Sequence, residues 1–203
     1  MEWTGVRYND LPTVEVSIEI AASPQHVWKV ISDPTLMSEF SQELRAVEWL
    51  DGLTEARLGG RFVGHSKHAS LGVWSTTSYI VEYEPLRVFA WAVDSVDNPS
   101  ASWRFTLEHD SGGTVLRQWA QLGPGPSGLS AAIERMPDKE QKIVFVRLRE
   151  FESGMLSTLS AIKGRAEAAA CARSRQASAI APCSASRSSA AAIASSRGAS
   201  GGA

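Results

Sequence analysis

Aromatic side chains recur at alternate positions in the middle of this chain, and they are its clearest candidates for a ligand-binding surface. The 203 residues include seven tryptophans. Trp103 and Phe105 are two positions apart, as are Phe89 and Trp91, so each pair lies on one face of its predicted strand. Aromatic walls with a few hydrogen-bonding groups suit a flat, apolar ligand. The same rings could instead fill a small core, and their spacing leaves both interpretations open.

Two other predicted strands carry polar side chains that could orient such a ligand. On the longest strand, the set that contains Thr77 and Tyr79 alternates with a set that contains Glu82. We expect Thr77 and Tyr79 to face inward, because the charge of Glu82 favours water; a β-bulge would reverse part of this pattern. On the last strand, alternation turns Leu116 and Gln118 inward, which makes Gln118 a candidate hydrogen-bonding anchor.

The four histidines do not form a metal-binding pattern. His65 and His68 are three positions apart on a predicted strand, so their side chains should point to opposite faces. His26 falls in a predicted helix and His109 at a turn. Because none of the four has an acidic partner at metal-ligand spacing, the sequence predicts neither a metal site nor a cofactor.

Acid–base chemistry has more candidates than nucleophilic chemistry. Ser75, Thr76 and Thr77 offer hydroxyls, but no nucleophile-elbow sequence surrounds them and no base lies beside them. A cyclase needs only a dry pocket that folds a reactive chain and a group that moves one proton. The side chains that could polarise or protonate a bound carbonyl are Glu43, Arg104, Arg117 and Tyr79. A solvated surface position is the simpler interpretation for each charged residue among them.

One long amphipathic helix and a run of short strands must hold these residues in place. Between residues 138 and 165, apolar residues recur at steps of three and four: Val144, Leu148, Phe151, Met155, Leu159 and Ile162. A strand at residues 14–20 and two short helices come first, and six consecutive strands follow. Those six are predicted at residues 44–50, 61–68, 73–83, 87–93, 101–109 and 114–122. This β-α-α-β6-α order predicts an α+β fold in which a curved, seven-stranded antiparallel sheet wraps the long helix.

Composition divides the chain into a flexible N-terminus at residues 1–12, a domain at residues 13–165 and a disordered Ala/Ser-rich tail at residues 166–203. The net charge of −2 attracts neither nucleic acid nor an anionic membrane. No apolar run approaches the ~18 residues of a membrane span, so we expect no stable membrane insertion. Both cysteines, Cys171 and Cys183, lie in the tail, and the N-terminus does not resemble a secretory signal, so we expect a cytoplasmic protein.

Several local motifs resemble the polyketide cyclase/dehydrase and lipid-transport superfamily, which is also called START-like or SRPBCC. Two motifs resemble the family's first helix and its exit: SPQHVW at residues 23–28 and ISDP at 31–34. Four more resemble the family's next strand and central hairpin: GRFVGH at 60–65, WSTT at 74–77, EYEP at 82–85 and FAW at 89–91. The last two resemble its final hairpin: ASWRF at 101–105 and GGT at 112–114.

This resemblance implies a helix-grip fold over residues 13–165, with a ligand pocket between the sheet and the long helix. The side chains expected to line the pocket are Phe40, Thr77, Tyr79, Phe89, Trp91, Trp103, Phe105, Gln118, Met155 and Leu159. Such a protein would bind a small hydrophobic or aromatic molecule. One alternative is a polyketide cyclase or dehydratase that uses acid–base chemistry without a cofactor. A second alternative is a protein-interaction module with a vestigial pocket.

Overall fold

The computed structural model describes residues 2–180 of the chain, without the side chains of residue 110 and residues 174–180. The strands are β1 (Thr13–Ile20), β2 (Leu44–Trp49), β3 (Arg61–His68), β4 (Gly72–Glu84), β5 (Val88–Val93), β6 (Ala101–Asp110) and β7 (Gly113–Leu122). The α-helices are α1 (Pro24–Ile31), α2 (Met37–Phe40), α3 (Gly128–Arg135) and α4 (Glu140–Ile180). Short 3-10 helices lie at Tyr8–Asp10, Pro34–Leu36 and Pro137–Lys139.

Within the described residues, the seven strands form one antiparallel sheet in the order β1-β7-β6-β5-β4-β3-β2. Strands β2 to β7 pair in sequence order, because their connections are too short to pass over a neighbouring strand. Strand β1 closes the arrangement by pairing with β7, so that Val16 lies opposite Gln118. The predicted α+β fold, with a curved sheet around one long helix, is confirmed.

Helix α4 supplies the apolar face that the sheet covers. Val144, Leu159 and Ile162 are each 0% exposed, and Met155 is 2% exposed. Burying an aliphatic side chain of this size stabilises the fold by roughly 1.5–3 kcal/mol. The stripe predicted from the 3.6-residue period is therefore the stripe that packs on the sheet.

Helix α1 begins where the sequence predicts, although its first residue is not a conventional cap. Ser23 precedes Pro24, which occupies the first helical turn. The Ser23 hydroxyl contacts His26 Nδ1 at 2.9 Å instead of a backbone amide. Val27 and Ile31 are both 0% exposed, and α1 packs against α4, β6 and β7.

Both ends of the domain reach further than composition indicates. Helix α4 continues past the predicted end at Arg165, where Ala166 is 0% exposed and Glu167 accepts the Ala21 amide at 2.8 Å. Alanine is the best helix former and is small enough to pack closely, which explains the extension. In the segment expected to be flexible, Tyr8 is 5% exposed and its hydroxyl donates to the Gly125 carbonyl at 2.6 Å. Residues 181–203 of the predicted tail lie outside the described residues.

No helix in the described part of the chain combines the length and hydropathy needed to cross a bilayer.

Candidate ligand-binding site

A cavity of about 990 Å³ lies between the concave face of the sheet and α4. The rings of Trp91 and Trp103 form much of one wall, with centroids 6.3 Å apart and planes 12° apart. Phe151 of α4 faces them, its centroid 4.8 Å from that of Trp103. Strand alternation brings these rings together, because Trp91 and Trp103 are directly paired across β5 and β6. The cavity therefore presents broad aromatic surfaces to its contents.

The inner end of the cavity, defined here by Phe105 and Gln118, is enclosed. Phe105 is 0% exposed and Gln118 is 6% exposed, and the two residues are paired across β6 and β7. The Gln118 Oε1 atom is buried without a hydrogen-bond partner among the described residues. A buried acceptor that lacks a donor carries a desolvation cost of about 1–3 kcal/mol. A donor group on a bound molecule would remove that cost.

Strand β4 presents the opposite face from the one predicted. Trp74, Thr76 and Ser78 line the cavity. Thr77 and Tyr79 are not among the residues that line it, and Tyr79 lies opposite Arg61 of β3, whose guanidinium pairs with Asp51 outside the sheet. The prediction that Thr77 and Tyr79 face inward was therefore wrong.

A β-bulge explains this error. The pairing of β4 with β5 shifts between Ile80, which lies opposite Trp91, and Glu82, which lies opposite Ala90. The extra residue lets Ile80 stay inside at 2% exposure while Glu82 points outward and pairs with Arg104. The preference of Glu82 for water was correct, but it does not fix the orientation of residues before the bulge.

The structure separates the other predicted residues into wall and core. Those that line the cavity are Trp91, Trp103, Phe105, Gln118 and Met155. Phe89 and Leu159 are 0% exposed within the core, and Phe89 packs beside Trp91 with the two ring centroids 5.4 Å apart. Phe40 packs beside the core, where the Arg165 guanidinium carbon lies 5.7 Å from its ring centroid.

Charged groups surround the mouth of the cavity, defined here by Glu43, His68, Arg147 and Glu150. Arg147 donates to both oxygens of Glu43, at 2.6 and 2.8 Å, and to Glu150 at 3.0 Å. His68 Nε2 lies 4.0 Å from Glu43 and 3.6 Å from Glu150. Burial disfavours the charged guanidinium, but the hydrogen bonds and charges of Glu43 and Glu150 outweigh it and raise the pKa of Arg147. The mouth is thus an ion-pair network that joins α4 to the sheet.

Among the described residues, the mouth also brings together three side chains that could hold a metal ion. Ligand atoms of Glu43, His68 and Glu150 all lie within 4.8 Å of one another. However, Arg147 already holds both carboxylates, and the Ser70 amide donates to His68 Nδ1 at 3.2 Å. That hydrogen bond leaves the proton of a neutral imidazole on Nε2, which cannot then coordinate a metal. The three residues could hold a cation only after Arg147 withdraws and His68 changes tautomer.

Sequence reasoning missed parts of the site for different reasons. It named Glu43 as a polarising group but did not foresee Arg147 beside it, because 104 positions separate the two residues. Arg104 and Arg117 lie on the outer face, where they pair with Glu82 and Glu108. Alternation along β3 and the helical stripe of α4 would have identified two more wall residues, Phe62 and Phe151.

Comparison with known proteins agrees with this architecture. Residues 12–149 match the family described as polyketide cyclase/dehydrase and lipid transport. No curated protein gives a significant match. The polyketide-cyclase-like protein Cgl2372 of Corynebacterium glutamicum is 28% identical, with a TM-score of 0.55 over 74% of this chain and 88% of that one.

Two aromatase/cyclases share the fold at lower identity. ZhuI from Streptomyces sp. R1128 is 19% identical, with a TM-score of 0.58 over 77% of this chain and 94% of that one. The di-domain protein StfQ of the steffimycin biosynthetic pathway is 14% identical, with a TM-score of 0.61 over 83% of this chain and 54% of that one. Identities this low establish the fold and leave the activity open. The match to the family model spans more than half of the residues of this chain. The chain therefore belongs to the polyketide cyclase/dehydrase and lipid transport family.

Proposed function

We propose that this protein binds a small hydrophobic molecule in the cavity between the sheet and α4. The observation that carries the proposal is a cavity of about 990 Å³ with aromatic walls and an unpartnered acceptor, Gln118 Oε1, at its inner end. Ligand cavities in proteins typically measure roughly 300–1,000 Å³ and combine apolar walls with a few polar groups. The family to which the chain belongs supports ligand binding in general terms.

A cavity with these walls supports binding better than core filling. If these rings served only to fill a core, little free volume would remain beside them, since protein interiors are packed as densely as organic crystals. Trp91, Trp103 and Phe151 contact one another, but all three also border the cavity of about 990 Å³. A flat molecule between the sheet and α4 would remove apolar surface from water, which contributes roughly 25 cal/mol per Å² of that surface.

A second candidate function is a cofactor-free cyclase or dehydratase. The observation that favours it is the group of titratable side chains at the mouth, where Glu43, His68 and Glu150 all line the cavity. A carboxylate or imidazole in such a place could move a proton to or from a bound carbonyl compound. The similarity to two aromatase/cyclases supports this possibility through the shared fold alone. A protein-interaction module with an empty cavity is the remaining alternative.

Native mass spectrometry of freshly purified protein separates these possibilities. We expect either a copurified small apolar molecule or, after its removal, uptake of one equivalent of an uncharged aromatic probe such as 2-naphthol. Binding without conversion of polyketide-like compounds would favour the carrier function, and conversion would favour the enzyme. A protein that neither carries nor takes up any apolar molecule would contradict both ligand proposals and leave the interaction module.

A further inference from the structure

We infer that the cavity selects uncharged ligands over anionic ones, and that Glu43 sets this preference by masking Arg147. The inference rests on the proposed function, because it specifies the class of molecule that the same cavity accepts. It would distinguish this protein from a carrier of fatty-acid anions. The charge distribution at the mouth and the polarity of the inner end both support it.

Arg147 is the one arginine of the described residues that lines the cavity and is itself buried, with a side-chain exposure of 10%. A buried guanidinium beside an apolar cavity would ordinarily attract a carboxylate, which it can bind through two parallel hydrogen bonds. In this protein Glu43 already occupies that position, with contacts of 2.6 and 2.8 Å to the two terminal nitrogens. The hydrogen-bonding face that would recognise an anion is therefore satisfied internally.

Glu150 strengthens the masking. It accepts from Arg147 at 3.0 Å, so two carboxylates surround a single guanidinium. His68 is the other titratable side chain directed at this pair of acids. A ligand carboxylate that approached Arg147 would lie beside Glu43 and Glu150, and like charges at this range repel each other.

Other cations near the mouth do not replace Arg147. Lys67, Arg45 and Arg149 also line the cavity, but all three are exposed. Exposed cations of this kind attract an anion weakly, because water and salt screen them. They can raise the encounter rate of an anion without holding it inside.

The inner end gives a second reason for the preference. Gln118 Oε1 requires a hydrogen-bond donor, and a hydroxyl can supply one while a carboxylate cannot. The surrounding aromatic walls offer nothing to offset the desolvation of a charge. The cavity thus fits an uncharged, mostly apolar molecule that carries a hydroxyl or similar donor at its inner end.

The test compares 2-naphthol with 2-naphthoate, which have the same ring system and differ in charge at pH 7. Quenching of tryptophan fluorescence in the full chain reports binding of each probe. We expect 2-naphthol to bind at least about tenfold more tightly, since 1.4 kcal/mol corresponds to a factor of ten. In Glu43→Gln, which keeps the shape and removes the charge, we expect 2-naphthoate to bind at least about fivefold more tightly than in the wild type.

Glu48→Gln is the matched control, because Glu48 lies on β2, the strand that Glu43 directly precedes, but is not among the residues that line the cavity. It should keep the wild-type ratio of the two affinities. Should Glu43→Gln fail to fold, Glu150→Gln relieves part of the masking and should shift the ratio in the same direction by a smaller factor.

Three outcomes would overturn the inference while leaving the proposed function intact. The first is equal binding of 2-naphthol and 2-naphthoate by the wild type. The second is tighter binding of 2-naphthoate by the wild type, as would follow if the Gln118 amide turned its nitrogen toward the ligand. The third is a wild-type ratio of affinities in the folded Glu43→Gln and Glu150→Gln variants. Failure of every apolar probe to bind would instead contradict the proposed function itself.

Discussion

The inner end and the mouth of the cavity differ in whether their polar groups have partners within the protein. At the inner end, Phe105 and Gln118 are buried among apolar groups, and the Gln118 acceptor lacks a partner within the described part of the chain. At the mouth, Arg147 donates hydrogen bonds to Glu43 and Glu150, and His68 lies within 4.0 Å of both carboxylates, so the network links α4, β3 and the segment before β2. A polar atom without a partner can hydrogen-bond to a ligand, whereas charged groups that already pair with one another stabilise the fold. Under the proposed function, the inner end would recognise the ligand, while the mouth holds the cavity walls together.

The largest expected effect is a loss of stability when the ion-pair network at the mouth is disrupted. Arg147→Ala removes the cation between Glu43 and Glu150 and leaves two carboxylates facing each other. We expect the free energy of unfolding to fall by about 2–4 kcal/mol, somewhat less than for a fully buried pair because both glutamates are partly exposed. Urea denaturation measures this loss.

The control for that measurement is Arg117→Ala on the outer face. Arg117 pairs with Glu108 at 3.4 Å, and both side chains are exposed, so its removal should cost less than about 1 kcal/mol. Equal losses in the two variants would mean that the network at the mouth is no more than a surface ion pair.

A smaller effect is expected from removing an aromatic wall. Trp103→Leu takes away the ring that lies between Trp91 and Phe151. We expect the affinity for 2-naphthol to fall about tenfold, because ring stacking and lost contact area together are worth roughly 1–2 kcal/mol. Isothermal titration calorimetry measures the change. Trp119→Leu on the outer face, where the ring lies near Arg104, should leave the affinity unchanged; a similar loss there would place the ligand elsewhere.

Gln118→Leu tests whether the inner end is built for recognition. Because the Oε1 atom has no partner among the residues that the structure describes, replacing the amide with an apolar group should leave stability unchanged or raise it by up to about 1 kcal/mol. The same substitution should weaken 2-naphthol about fivefold and leave 2-methylnaphthalene unaffected, since only the naphthol donates a hydrogen bond. Gln121→Leu on the outer face of β7 is the control. A clear loss of stability in Gln118→Leu would show that the amide serves the fold instead.

The smallest effect is expected from metal ions. If Arg147 and the His68 tautomer keep the mouth closed to cations, Zn²⁺ at a few equivalents should not raise the melting temperature. Thermal melts with and without zinc, at equal ionic strength, test this. A rise that disappears in Glu150→Gln would identify a metal site at the mouth.

The two regions also differ in how well the sequence predicted them. Most of the inner end and its aromatic wall followed from local alternation, which placed Trp103, Phe105 and Gln118 on one side of the sheet. Local patterns fail where the backbone departs from its period, and one extra residue at the bulge near Ile80 was enough to reverse the assignment of Thr77 and Tyr79.

The mouth depends on contacts that no local pattern contains. Glu43 meets Arg147 across 104 positions, and a sequence pattern cannot show which distant charges will pair. The same limit applies to Tyr8, whose burial depends on the loop at Gly125, 117 positions away. Helix α4 was correctly predicted over its amphipathic part, but alanines beyond that part continued it past the point where periodicity ends.

The most direct test of ligand binding in the cavity compares two substitutions on adjacent residues of β4. Thr76 lines the cavity beside Gly64, whereas Thr77 faces the other side of the sheet. Thr76→Trp should fill the space and abolish one-to-one binding of 2-naphthol in a calorimetric titration. Thr77→Trp should bind as the wild type does, with both variants folded by circular dichroism. Equal binding by the two variants, or loss of binding in Thr77→Trp alone, would contradict a ligand site between the sheet and α4.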